Sequence, residues 1–82
     1  MTVENVDQEL DTRGLNCPLP ILKAKKALAS MSGGQLLRII SSDAGSVRDF
    51  VAFTKQTGHE LVEQQTVEHD FVHVIKRRAV LA

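Results

Sequence analysis

Eighty-two residues suffice for one small core but not for the walls of a deep substrate cavity, so any site is expected at the surface. Ten basic and ten acidic side chains cancel, which excludes the strong overall field that draws a protein onto nucleic acid or an anionic membrane. No apolar run is as long as a membrane span, no charged start leads into an export segment, and a lone cysteine cannot close an internal disulfide, so a reducing cytoplasm is the expected compartment.

Residues 1–82 read as a single domain, with 1–5 and 79–82 expected to fray. Val6, Gln8 and Leu10 alternate with Asp7, Glu9 and Asp11 in the period of a half-buried strand that ends near Thr12. Asp11-Thr12-Arg13-Gly14 is a turn, and Pro18 to about Met31 is a first helix stopped by Gly33-Gly34. On that helix Ile21, Ala24, Ala27, Leu28 and Met31 share the core face, while Lys23, Lys25, Lys26 and Ser30 lie around the rest. Leu19 and Leu22 fall on the opposite side, towards water. Gln35–Ser41 is apolar on both faces except at Arg38, which predicts a central strand. Asp43 is placed to cap a second helix from Ala44 to about Thr57, with Val47, Phe50, Val51 and Thr54 as its inner stripe, Phe53 at the border and Gly58 as the stop. His59–Val67 and Phe71–Arg78 are two strands joined through Glu68-His69-Asp70 as a hairpin. The order βαβαββ predicts an α/β chain of the α+β two-layer sandwich kind, a four-stranded mixed sheet with both helices on one face.

The chemistry points to Cys17, the only cysteine, which stands before two alternate prolines at the first helix. A residue before proline is pushed towards extended angles, and proline is favoured at the first helical position, so Cys17 reads as the N-cap and its sulfur as outward-facing. Gly14 turns the preceding chain, and Pro18 and Pro20 fix the start of the helix. A helix N-terminus stabilises an anion by about 0.3–1 kcal/mol, less than the roughly 1.36 kcal/mol of one pKa unit. The first-turn N–H groups of Leu19 and Ile21 remain as donors, and Arg13 or Lys23 offers a positive neighbour. The expectation is a reachable, mildly activated thiol. A dithiol oxidoreductase is excluded because Pro20 stands where the resolving cysteine would be. A cysteine hydrolase lacks a base with a local motif, since His59, His69 and His73 read as exposed or edge-strand residues. His69 and His73 would be about 13 Å apart on one strand, too far to share a metal, and no metal site is expected. Leu19 and Leu22 are either contacts for a partner beside the thiol or ordinary exposed leucines.

The run Asp11-x-x-Gly14-x-x-Cys17-Pro18-x-Pro20 resembles the signature of the TusA family of small sulfur carriers, with its SirA- and YedF-type members. Asp43 before the second helix, Gly58-His59-Glu60-Leu61 and Phe71-x-x-x-Ile75-x-Arg77 extend the resemblance over nearly the whole chain. It implies that Cys17 carries sulfane sulfur as a persulfide, taken from a cysteine desulfurase or rhodanese-like donor and passed to an acceptor protein. The acceptor pathways it implies are transfer-RNA thiolation, molybdenum cofactor and sulfur oxidation, with selenium metabolism in some relatives. Such a protein is a carrier with a persulfide intermediate rather than a turnover enzyme, needs no cofactor, and is expected to be a monomer whose partner surface includes Arg13, Leu19, Leu22, Lys23 and Lys26. Lys76-Arg77-Arg78 reads as a solvated strand end, and without Trp or Tyr as stacking platforms no direct nucleic-acid contact is expected. The rival from another class is a regulatory interaction domain working through Leu19, Leu22 and Lys26 with the cysteine incidental.

Overall fold

The computed structural model describes residues 5–79; the fraying expected at 1–5 and 79–82 lies, apart from Asn5 and Ala79, outside the described residues. Six elements follow in the expected order: β1 (Gln8–Asp11), α1 (Leu19–Ala29), β2 (Leu36–Ser41), α2 (Gly45–Thr57), β3 (Glu60–Val67) and β4 (Asp70–Lys76). The strands lie in the order β1-β2-β4-β3, with β1 parallel to β2 and both pairs made by β4 antiparallel. This is the predicted mixed sheet, and the apolar strand β2 is central as its two-sided pattern required. Leu37 and Ile39 of β2 and Ile75 of β4 point to one face, where they meet Ala24, Ala27, Leu28 and Met31 of the first helical segment and Phe50 and Phe53 of α2 in a single core. Both helices therefore cover the same face.

Helix α1 ends at Ala29, two residues before Met31, because the Ser30 amide and hydroxyl both turn back onto the Ala27 carbonyl. The turn beyond it reaches Gly34 at φ +87°, a conformation that needs glycine. Gly58 closes α2 at φ +83° with its N–H on the Thr54 carbonyl, as expected of a left-handed cap. The inner stripe of α2 is rotated from the predicted one. Ser46, Phe50, Phe53 and Thr54 are buried, whereas Val47 is exposed and Val51 half-buried. Phe53 is in the core rather than at its border, edge-on to Phe50 at 6.2 Å between ring centres. Arg77 also departs from a solvated strand end: its Nε donates to the Leu28 carbonyl at 2.7 Å, adding a charged donor to an acceptor at the C-terminal end of α1 that the Met31 N–H also reaches.

The histidines correct the expectation most. His69 lies in the turn, outside the strand, and His73 is fully buried on the inner strand β4. The Gln64 amide nitrogen donates to the Val47 carbonyl at 3.0 Å and to His73 Nδ1 at 3.1 Å, so Nδ1 is the acceptor and Nε2–H donates to Ser46 Oγ at 2.9 Å. Serine, histidine and amide are thus in line, but the ring proton already faces the serine and both Ser46 and His73 are buried, the wrong state for a general base. Burial lowers the His73 pKa to about 4. Because the unfolded state then binds the proton first, stability is complete above the ordinary histidine pKa and falls as pH drops towards 4. Thermal melts from pH 7 to 4.5 should show a loss on the order of 2 kcal/mol, and His73→Gln should flatten that dependence.

Candidate functional site

The cysteine loop is suspended between two strand ends. Thr12, fully buried after β1, places both its N–H and its hydroxyl on the Ile40 carbonyl at 2.7 Å. Gly14, at φ +85°, then gives its N–H to Ser42 Oγ at 2.8 Å. The Leu15 N–H returns to the Thr12 carbonyl, and the Cys17 N–H reaches Asp43 Oδ2 at 3.0 Å. The other oxygen of Asp43 accepts the Gly45 N–H at 2.9 Å, so one carboxylate ties the thiol loop to the start of α2. Asp43 is one residue before the N-cap, Ala44, and still performs the expected task of satisfying a first-turn amide. Asp43→Ala removes both bonds and is expected to cost about 1–2 kcal/mol in a thermal melt, with faster hydrogen exchange at the Cys17 amide.

Cys17 is exposed, as predicted, but it is not the N-cap. That position is Pro18, and the helix begins at Leu19 with Pro20 buried in its first turn. The reason is local: the Leu19 N–H donates to the Asn16 carbonyl at 2.8 Å, closing a turn with Cys17 and Pro18 at its centre. The amide expected to face the sulfur is thereby spent on backbone.

The sulfur sits at an open groove of about 740 Å³ that it shares with Asp43, Val47, Arg48, Asp49 and Val51. Asp49 and Asp43 line this groove with the thiol, and their carboxylates, Asp49 foremost, together with burial push its pKa up. The expected mild activation is therefore reversed. Neither proposed cation reaches the site. Arg13 is clamped in two hydrogen bonds to Asp11, at 3.0 and 2.8 Å, and faces Asp70 at 3.6 Å; the pairing holds the Asp11 carboxyl at about 2. Lys23 and Lys26 line a separate shallow groove with Gln8 and Leu10. Leu19 and Leu22 are exposed, 45% and 53%, on the α1 surface. Asp49 is the residue the sequence reading missed; no local spacing ties it to Cys17, and only the packing of α2 beside the thiol loop brings it into the groove.

None of the three histidines shifts the thiol, and among the described residues no group of three or more His, Cys, Asp or Glu could hold a metal ion. No helix of the described residues is long and apolar enough to cross a membrane.

The comparisons with known proteins bear on family and fold. The family model described as sulfurtransferase TusA matches residues 8–77. The sulfur carrier protein TusA of Allochromatium vinosum is 59% identical over 71 residues, covering 87% of this chain and 93% of that one. The protein of the same name from Pseudomonas aeruginosa is 37% identical over 75 residues, covering 92% and 95%. The crystal structure of a SirA-like protein from Desulfitobacterium hafniense superposes with a TM-score of 0.77 over 87% of this chain and 97% of that one; at 22% identity it bears on the fold alone. With a family match that runs from the first residue of β1 to just past β4, over the whole sheet and the thiol loop, the chain belongs to the TusA family of sulfur carriers.

Proposed function

We propose that Cys17 takes up sulfane sulfur as a persulfide and relays it between two proteins. The observation that carries this reading is an exposed thiol at the edge of an open groove in a chain that has no second cysteine to close on it. An internal resolving thiol would attack the persulfide and trap the carrier as a disulfide. The Cys17 thiolate attacks the outer sulfur of a donor persulfide, the donor leaves as its thiolate, and Cys17–S–S–H remains. Gly14, Pro18 and Pro20 shape the loop that presents the sulfur. A donor or acceptor presses its own sulfur into the groove, with Leu19 and Leu22 as apolar contacts and Arg13, Lys23 and Lys26 around them. The donor is a cysteine desulfurase or a rhodanese-like protein, and the acceptor serves transfer-RNA thiolation, molybdenum cofactor synthesis or sulfur oxidation. On this reading the carrier acts in the cytoplasm as a monomer formed by residues 1–82, without a cofactor or direct contact with nucleic acid.

The test is intact-mass measurement after incubation with a cysteine desulfurase and cysteine, and in parallel with a rhodanese and thiosulfate. One added sulfur that a reductant removes is the expected result. No addition from either donor would overturn the reading in favour of a regulatory interaction domain.

A further inference from the structure

The groove holds a carboxylate that the relay step leaves unused. Asp43 is already committed, with one oxygen on the Cys17 N–H and the other on the Gly45 N–H. Asp49, half-buried one turn along α2 from Gly45, lines the same groove as the sulfur, and its carboxylate is the foremost cause of the raised thiol pKa. The empty carrier suits this carboxylate, because a neutral donor meets an acceptor. The loaded carrier does not. An alkyl persulfide is a stronger acid than its parent thiol, so Cys17–S–S⁻ brings a negative charge up to Asp49 and Asp43. Arg48 also lines the groove, and the charges that raise the thiol's pKa are the carboxylates of Asp49 and Asp43.

Resting on the persulfide reading above, we propose that Asp49 is the unloading residue of the carrier: it stabilises the empty thiol by accepting its S–H and destabilises the anionic persulfide by repulsion, so that sulfur is passed on rather than retained. The step balances without an oxidant or reductant. An acceptor thiolate, A–S⁻, attacks the outer sulfur of Cys17–S–S–H; the new S–S bond forms as the old one breaks, giving A–S–S–H and Cys17–S⁻. The Cys17 thiolate then takes the proton that A–S–S–H readily loses, and the S–H returns to Asp49. The transferred sulfur keeps its sulfane oxidation state throughout.

Asp49→Asn and Asp49→Glu in the full chain test this with two readouts. The first is the rate of alkylation by iodoacetamide against pH, with no sulfur added; its midpoint should move to lower pH in Asp49→Asn and stay near wild type in Asp49→Glu. The second is equilibrium exchange with glutathione persulfide, read as the ratio of loaded to empty carrier by intact mass. Asp49→Asn should hold about three- to tenfold more loaded carrier than wild type, the effect of one charge a few ångströms away at a water-facing site. An unchanged alkylation midpoint overturns the contact. An unchanged or lower loaded ratio in Asp49→Asn overturns the unloading role, as does an Asp49→Glu protein that behaves like Asp49→Asn. Wild type that takes up no sulfur overturns the relay reading and the unloading role together, whereas a shift in the alkylation midpoint without uptake leaves only the Asp49–thiol contact standing.

Discussion

Cys17→Ser is expected to abolish sulfur loading entirely while changing stability by no more than about 0.5 kcal/mol, the range of surface substitutions that break no packing. The two halves of this prediction have separate causes. The loading is lost because an alcohol is far too weak a nucleophile to displace a donor from its outer sulfur without an activating base, and no histidine lines the groove at this position. Stability is retained because what fixes the loop is backbone: the Gly14 and Cys17 amides on Ser42 and Asp43, and the Leu19 amide on Asn16. A serine hydroxyl can also donate to Asp49 in place of the thiol. Intact mass after incubation with a donor, beside a thermal melt, measures both. Residual reducible sulfur on the variant would mean that another group carries it, and a melt lowered by more than about 1 kcal/mol would mean that the sulfur contributes packing.

Phe50→Ala is expected to show the opposite pattern, a loss of about 3–5 kcal/mol from cavity creation and lost burial. A protein of this length commonly has only about 4–12 kcal/mol in all. Phe50 is fully buried between the two helices and the sheet, edge-on to Phe53 and 4.7 Å between ring centres from His73. Its removal therefore also loosens the ring that Gln64 and Ser46 hold, and the cost exceeds that of a peripheral aromatic. Urea denaturation at pH 7 gives the magnitude through the midpoint and slope. Where the variant remains folded, its alkylation by iodoacetamide at Cys17 should stay close to wild type, because the thiol loop is fixed to Ser42 and Asp43 rather than to this part of the core.

The two variants separate folding from chemistry, which the structure keeps on different faces of α2. Phe50 and Phe53 point down into the sheet, while Asp49, the neighbour of Phe50 in sequence, turns up to the groove. One helix thus serves both layers, and a rotation of α2 would damage the core and the thiol environment together. The tie from Asp43 to Gly45 and Cys17 sets that rotation at its origin.

The sequence by itself determined the elements, their order and the exposure of the one sulfur that a thiol chemistry could use. Periodicity placed four strands and two helices to within a few residues, because core-facing side chains must recur with the backbone repeat. Glycines at 34 and 58 marked the turns because the backbone there is left-handed. The cysteine-proline run marked the exposed sulfur, although the N-cap position it was read from belongs to Pro18. Only the tertiary structure decided what surrounds that sulfur. Asp43 and Asp49 lie 26 and 32 positions along the chain from Cys17, and nothing local brings them near. The thiol was expected to feel the N-terminal amides of its own helix; instead it meets the carboxylates of another, and its pKa moves up rather than down. The same limit hid His73, which was read with the other histidines as an exposed or edge-strand residue and which the strand order places, buried, on an inner strand. Local pattern determines which way a side chain faces along its own element, but the charge and solvent it meets there depend on which distant element is packed across from it.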